Sequence, residues 1–175
     1  LAMGPEHLSL YQLTIERGTP FYTAHRRGDF QIPAEGLGCA LFEVTQELCE
    51  RRGLPAYEIS NHARPGLECR HSLVYWTGGD YVGIGPGAHG RLTVGNTVFA
   101  TEQIPGPANW LHAVAASGHG TRKYEALDAG TRIEEILMMG LRLRDGLTRD
   151  AFHTATAHAF EDVLEPRRLR RLIDA

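Results

Sequence analysis

Cysteine is scarce in this chain and never has the spacing of a ligand motif. Its 175 residues include three cysteines, Cys39, Cys49 and Cys69, which form no CxxC, CxxxCxxC or CxxCH sequence. This argues against a disulfide framework, a four-cysteine zinc site, an intact iron–sulfur site and c-type haem attachment. Cys39 and Cys49 lie in a helical pattern and are interpreted as small packing residues.

Long apolar runs and a strong charge bias are also lacking. No apolar run approaches the ~20 residues that a membrane-spanning helix needs, and the first residues do not resemble a signal peptide. The net charge is −3, with 42% hydrophobic and 22% charged residues. This composition argues against a disordered tail and a strongly basic nucleic-acid binder. It predicts a soluble globular protein, and a cytoplasmic location follows as the default.

Hydrophobic periodicity predicts a mixed α+β fold in the first part of the chain. Leu8 to Ile15 is typical of a strand buried on both faces, and residues 17–36 of a loop. The remaining predicted elements are a helix over 37–53, a short strand over 56–60, a helix over 69–76, a strand over 81–85, a hairpin over 91–100 and a helix over 107–118.

From residue 121 onward the pattern is helical. Thr131 to Glu134 has the form of a capping box, Thr148 can cap a second helix, and Pro166 opens a third. We therefore expect two domains, residues 1–120 and 121–175. Both ends look interrupted: residues 1–3 read as the end of a helix, and the stripe of Leu169, Leu172 and Ile173 runs to the last residues, so the second domain looks incomplete.

The segment from Cys69 to Trp76 carries the strongest chemical signal. A helix here places His71 and Tyr75 on one face, with Trp76 beside them. An imidazole can bind haem iron, aromatic faces can lie on a porphyrin, and Arg64 or Arg70 could meet the propionates. The alternative is a histidine that only packs on Tyr75 and caps a carbonyl.

The turn from Gly85 to Gly90 matches the GxGxxG pattern of dinucleotide-binding proteins. That fingerprint needs a helix to follow, whereas the next residues here read as a strand and Pro86 removes one amide. We interpret the glycines as letting the backbone pass close to another strand or to a flat ligand.

Three further groups allow two interpretations each. Cys69 and His71 could share a metal in an extended loop but would point apart in a helix. The cluster of Glu58, Ser60, Asn61 and His62 could face a ligand or only shape a turn. The arginines at 167, 168, 170 and 171 could contact DNA, but a short charge run on an acidic chain favours a solvated face.

Several segments together resemble one known family. They are His7 to Glu16, Gly18 to Pro20, Tyr57 to Asn61, Cys69 to Trp76 and Asp80 to His89. In order and spacing they are similar to the oxygen-independent coproporphyrinogen III oxidase-like radical SAM family, and most similar to its haem chaperone branch. The helical tail resembles the winged-helix-like C-terminal domain of that family.

The resemblance implies that Leu8 to Ile15 is the last strand of a radical SAM partial barrel. In such proteins a CxxxCxxC motif binds a [4Fe-4S] cluster together with S-adenosylmethionine (SAM). That motif is absent here, so the chain would hold no cluster metal and would have no catalytic residue of its own. SAM and the cluster would be bound only in the intact parent protein.

The resemblance also assigns candidate site residues. His71, Tyr75 and Trp76 match the HNxxYW motif associated with haem binding, with Ser72 where asparagine is usual, so the hydrogen bond of that amide is not carried over. A second set would face the SAM cavity; it consists of Gln12, Thr14, Gly85, Gly87 and His89.

Two functions follow from the resemblance. The chain would be part of a SAM-dependent haem chaperone that binds haem and passes it to haem-accepting proteins. The alternative is part of an oxygen-independent coproporphyrinogen III oxidase, which acts by oxidative decarboxylation in porphyrin biosynthesis. We expect no nucleic-acid partner and no membrane span, and exposed strand edges favour a dimer.

Overall fold

The computed structural model describes residues 4–174, apart from the side chains of residues 168, 172 and 173. The helical turn expected at residues 1–3 and the side chains of Leu172 and Ile173 therefore lie outside the described residues. The helices and strands are β1 (His7–Ser9), α1 (Pro20–Arg27), α2 (Glu35–Arg51), β2 (Asn61–Ala63), α3 (Arg70–Trp76), β3 (His89–Val94), β4 (Thr97–Gln103), α4 (Pro107–Ser117), β5 (Thr121–Ala126), α5 (Ala129–Gly140), α6 (Arg149–Thr156), α7 (Phe160–Val163) and α8 (Pro166–Ile173).

The fold of the described residues is α+β, with helices and two small open sheets. The chain forms two compact units, Leu1–Cys69 and Arg70–Ala175. Among the described residues, none of the helices is long and apolar enough to span a bilayer.

The sheet of the first unit is a short antiparallel pair. β1 and β2 pair with His7 opposite Ala63 and Ser9 opposite Asn61. The strand predicted over residues 56–60 is wrong, because that segment contributes only an isolated bridge between Ala56 and His62. The strand lies a few residues later, where the chain turns back along β1.

The strand predicted from Leu8 to Ile15 is also wrong over most of its length. β1 ends at Ser9, and one further backbone bond joins Leu10 N–H to the Ser60 carbonyl at 2.8 Å. Tyr11 is 76% exposed and Leu13 is 55% exposed. Within the described residues no strand lies beside this segment, so it has neither ladder partners nor cover for its apolar side chains.

A helix, α1, replaces part of the loop predicted over residues 17–36. The Thr19 hydroxyl accepts a hydrogen bond from Tyr22 N–H, Pro20 occupies the first turn, and Gly28 ends the helix with φ of 82°. These are ordinary helix boundary signals. The loop predicted for this segment is wrong here, because two of its turn residues, Pro20 and Gly28, mark the two ends of a helix.

The sheet of the second unit is an antiparallel meander in the order β3-β4-β5. The predicted hairpin is confirmed, with Val94 opposite Thr97 across the Gly95–Asn96 turn. The purely helical pattern predicted from residue 121 is wrong at its start, because β5 pairs with β4 along Phe99–Ala126 to Gln103–Thr121. Residues 121–126 form a strand because the open edge of β4 supplies backbone hydrogen-bond partners for them.

Helices α5 to α7 pack around a small aromatic core. Phe152 is fully buried and stacks on Phe160 at 4.2 Å between ring centroids. Thr148 caps α6 as predicted. The capping box predicted at Thr131 is wrong by one turn, because Asp128 is the N-cap and its carboxylate accepts from Thr131 N–H at 3.0 Å.

The strand predicted over residues 81–85 is reduced to one isolated bridge. Tyr81 and Arg91 exchange two backbone hydrogen bonds of 2.8 and 2.9 Å. Val82 and Ile84 are 66% and 82% exposed. Past Tyr81 this segment has no ladder with β3, so apolar sequence alone did not suffice to form a strand.

Candidate functional site

Helix α3 brings together the first two residues predicted to contact haem. His71 is exposed and Tyr75 is half-buried, one helical turn apart. Their rings meet edge to face with centroids 4.8 Å apart, and the Tyr75 hydroxyl lies 3.0 Å from His71 Nε2. The pairing follows directly from the i, i+4 spacing on a helix.

Tyr81 supports Tyr75 from the neighbouring segment. Their ring centroids are 4.3 Å apart at an interplanar angle of 66°. Burial raises the pKa of the Tyr81 phenol, so it stays neutral at physiological pH. The two backbone bonds to Arg91 hold Tyr81, and through it Tyr75, against β3. The sequence does not reveal this role of Tyr81, because the residue opens an apolar segment whose pattern indicates only a strand.

A charged network lies behind the two tyrosines. The Arg91 guanidinium donates to both carboxylate oxygens of Glu135, with Nη2 to Oε1 at 2.5 Å and Nε to Oε2 at 3.1 Å. Arg132 donates to the Gly78 carbonyl at 2.7 Å. A bidentate pair of this kind, about 20% exposed on each side, fixes α5 against the hairpin. No local pattern reveals it, because the partners are 44 residues apart.

The cavity beside these residues is too small for a porphyrin. It measures about 160 Å³ and is bounded by Tyr75, Tyr81, Arg91, Ile136 and Met139 among others. Sites for drug-sized ligands usually enclose roughly 300–1,000 Å³. A large flat ligand of His71 would therefore have to lie across the exposed outer face of α3.

Trp76, the third residue of the predicted set, contacts a different neighbour. The Arg142 guanidinium carbon lies 4.6 Å from the centroid of the Trp76 ring, a cation–π contact. The indole Nε1 is buried and has no hydrogen-bond partner among the described residues. Trp76 thus joins α3 to the turn after α5, and its N–H is available to an acceptor that reaches it.

The structure explains in two ways why glycine occupies several positions between residues 83 and 90. A Cβ on Gly83 would overlap the His89 carbonyl oxygen, and one on Gly90 would overlap the Thr101 hydroxyl. Gly85 and Gly87 have φ of 101° and 71°, which disfavour other residues. The close approach expected from the sequence is therefore made to backbone at Gly83, and to the Thr101 hydroxyl and the Tyr81 carbonyl oxygen at Gly90. The Gly85 Cβ position faces open space.

The residues predicted to face SAM are distributed over both units. Gln12 and Thr14 belong to the first unit, where the Gln12 amide donates to the Gly38 carbonyl at 2.9 Å and Thr14 is exposed. Gly85, Gly87 and His89 belong to the second unit. The His89 imidazole is exposed, with Nε2 3.9 Å from Glu102 Oε1.

The polar cluster after residue 57 is used inside the first unit. The buried Glu58 carboxylate accepts from Ser60 N–H at 2.8 Å, and Asn61 accepts from the Ser9 hydroxyl at 2.5 Å. His62 Nε2 lies 3.1 Å from Gln46 Oε1 on α2. Burial lowers the pKa of His62, opposed by the Glu58 charge and the Ser60 backbone. These contacts tie β1, β2 and α2 together, which favours the structural interpretation of the cluster.

Among the described residues, no group of three or more His, Cys, Asp or Glu side chains is arranged to hold a metal ion. The helical conformation of α3 begins at Arg70, so Cys69 lies just before it and His71 within it. An extended Cys-x-His arrangement around one metal is therefore not present.

Comparison with known proteins identifies relatives along most of the chain. The family model of the HemN C-terminal domain matches residues 127–175. The mitochondrial Radical S-adenosyl methionine domain-containing protein 1 of Mus musculus is 42% identical over 147 residues, covering 82% of this chain and 33% of that protein. Heme chaperone HemW of Bacillus subtilis is 32% identical, covering 87% of this chain and 39% of HemW.

A solved structure shares the fold. Coproporphyrinogen III oxidase (HemN) from Escherichia coli, described as a radical SAM enzyme, superimposes with a TM-score of 0.62 at 15% identity, covering 92% of this chain and 39% of HemN. The chain thus spans a third to two fifths of the length of these proteins. The chain belongs to the coproporphyrinogen III oxidase-like radical SAM family. Over most of its residues it corresponds to the C-terminal part of the proteins in that family.

Proposed function

We propose that this chain is the haem-handling part of a radical SAM haem chaperone. The observation that carries the proposal is the exposed His71 imidazole on α3, flanked by the Tyr75 ring, in a chain similar to proteins named heme chaperones. An exposed imidazole beside aromatic faces fits the donor set that haem uses in proteins.

The proposed haem lies on the outer face of α3. His71 would ligate the iron, Tyr75 would contact the porphyrin face, and exposed Arg70, one residue earlier, would pair with a propionate. Trp76, which is half-buried, would contribute an edge of its ring. Because the site is open, bound haem would remain accessible to a haem-accepting protein.

Hemin titration of the purified chain tests this proposal. We expect the wild-type chain to shift the Soret band and His71→Ala to lose that shift, with affinity reduced by about tenfold or more once the axial bond is gone. His112→Ala is the matched control, because His112 is an exposed histidine on α4 of the same unit. An unchanged spectrum for His71→Ala would reject the ligand assignment.

We further propose that Gln12, Thr14, Gly85, Gly87 and His89 face SAM in a protein that also carries the cluster motif. The open space at the Gly85 Cβ position supports this, since a ligand could approach the backbone there. Gly85→Ala should weaken SAM binding in calorimetry of such a protein. Gly95→Ala controls for strain, because Gly95 also has positive φ and open surroundings; equal effects would count against a SAM contact.

The chaperone and oxidase functions make different predictions for a protein that contains this chain. An assay of oxidative decarboxylation with coproporphyrinogen III separates them, and turnover would overturn the chaperone proposal.

For location we propose the cytoplasm. The mouse relative is named as mitochondrial, so fractionation of cells that express the protein is the test.

A further inference from the structure

The nitrogen through which His71 would reach haem iron is already engaged. The Tyr75 hydroxyl lies 3.0 Å from Nε2, an ordinary hydrogen-bond distance. Of the two ring nitrogens, Nδ1 adjoins the carbon that carries Cβ, so a porphyrin plane approaching Nδ1 would collide with the side chain. Nε2 is the unhindered nitrogen, and it faces the hydroxyl.

The Tyr75 hydroxyl is held in this position by contacts of its ring with two neighbouring rings. The His71 ring lies 4.8 Å and the Tyr81 ring 4.3 Å from the Tyr75 ring, centroid to centroid. Tyr81 is itself fixed by two backbone bonds to Arg91, which is bound bidentately by Glu135. Packing therefore already restricts the Tyr75 side chain, so that forming the hydrogen bond costs little further conformational entropy.

We propose that Tyr75 is a latch on His71, an internal competitor that must release Nε2 before iron can bind there. This inference rests on the proposed function, since it concerns the same haem site. Haem binding then exchanges one bond of His71 for another, so the site binds haem less tightly than an unlatched histidine would. For a protein that must give haem away, a returning hydroxyl also favours release.

The size of the effect follows from the hydrogen bond. The net worth of one neutral hydrogen bond corresponds to about a three- to tenfold change in an equilibrium constant. Tyr75→Phe keeps the ring contacts and removes only the hydroxyl. We therefore expect Tyr75→Phe to bind hemin about threefold to tenfold more tightly than the wild-type chain.

The first experiment is hemin titration of the full 175-residue chain, following the Soret band, with wild type, Tyr75→Phe and Tyr124→Phe. Tyr124 is the matched control, because it is a tyrosine of the same unit that is 53% exposed. Its ring stacks on Phe99 and not on His71. Tighter binding in Tyr75→Phe, with Tyr124→Phe unchanged, supports the latch. Equal or weaker binding in Tyr75→Phe overturns it.

The second experiment needs no haem. Diethyl pyrocarbonate acylates unprotonated imidazole nitrogens, and peptide mass mapping reports the rate at His71 alone. Tyr75→Phe should raise that rate severalfold, while the rate at exposed His112 stays constant as an internal reference. An unchanged rate at His71 overturns the latch whatever the hemin titration shows.

The two experiments separate failure of the latch from failure of the proposed function. If His71→Ala keeps the full Soret shift, His71 is not the ligand, and both the proposed function at this site and the latch on it are rejected. If His71→Ala loses the shift while Tyr75→Phe gains no affinity and no reactivity, the haem site stands and only the latch is rejected.

Discussion

His62 is a buried histidine whose protonation opposes folding. Only 1% of it is exposed, and burial lowers its pKa from the ordinary value near 6.5. Glu58 and His7 are the titratable groups that act on it, the first raising and the second lowering the pKa, and both effects are smaller than that of burial. Folding therefore favours the neutral imidazole.

The sign of the pH dependence follows from this shift. Above pH about 6.5 both the folded and the unfolded chain hold neutral His62, and the free energy of unfolding is independent of its charge. As the pH falls below that value the unfolded chain takes up the proton first, so stability decreases until the folded pKa is passed. We expect urea midpoints of the first unit to fall between pH 7.5 and 5.5.

Substitution of His62 tests how much this residue contributes to the decrease in the urea midpoint at lower pH. His62→Gln retains a hydrogen-bonding group near Gln46 and does not titrate, so its midpoint should decrease less over the same pH interval. His112→Gln, at an exposed position of α4, should keep the wild-type slope. If His62→Gln shows the full wild-type decrease, then other groups cause it.

At the scale of elements, two glycines with different surroundings should respond oppositely to the same change. A Cβ on Gly83 would overlap the backbone of Ala88 and His89, where nothing can move aside cheaply. A Cβ on Gly38, within α2, meets nothing within 4 Å. The first substitution adds strain, whereas the second removes the backbone entropy that glycine loses in a helix.

We expect Gly83→Ala to lower the free energy of unfolding of the second unit by roughly 1–3 kcal/mol, a typical cost of overpacking. Gly38→Ala should raise that of the first unit by about 0.5–1 kcal/mol. Denaturant titration with separate probes for the two units, the tryptophans for the second, measures both. A Gly83→Ala chain as stable as wild type would show that the tight turn can relax.

Element boundaries also show where local signals suffice. Thr19 and Gly28 delimit α1, and Thr148 starts α6, each by a cap that its own side chain or φ angle provides. Strands are different, since a strand exists only beside a partner. Residues 121–126 form β5 because β4 lies alongside, whereas residues 82–85 extend no ladder.

At the scale of the whole molecule, an exposed apolar stripe runs along α2. Its residues recur at helical spacing and are each about half exposed; they are Leu37 at 56%, Leu41 at 49%, Val44 at 52% and Leu48 at 50%. Helices in globular proteins normally bury such a stripe. In the isolated chain we expect it to drive self-association as concentration rises.

Sedimentation velocity over a range of concentrations tests this expectation. The wild-type chain should shift toward dimers or larger species, and the double variant Leu41→Lys with Leu48→Lys should stay monomeric. Leu111→Lys, at a 61% exposed position of α4, is the control and should associate like wild type. If the α2 variant still associates, then the exposed edges of the strands are the better explanation for a dimer.

The sequence by itself determined the features that depend on neighbours a few residues apart. Short spacings determine the α3 pair of His71 and Tyr75, the hairpin at Gly95–Asn96 and the Thr148 cap of α6. The likeness to the radical SAM family also follows from the order and spacing of short segments. These features need only the local geometry of the chain.

Only the tertiary structure decided the rest, because those contacts join distant residues. It paired β1 with β2 and β4 with β5, placed Trp76 against Arg142, and brought Tyr81 and the Arg91–Glu135 pair behind Tyr75. It also left residues 10–15 outside any sheet. Strand pairing and side-chain burial depend on which segments meet in space, and a one-dimensional pattern does not specify those meetings.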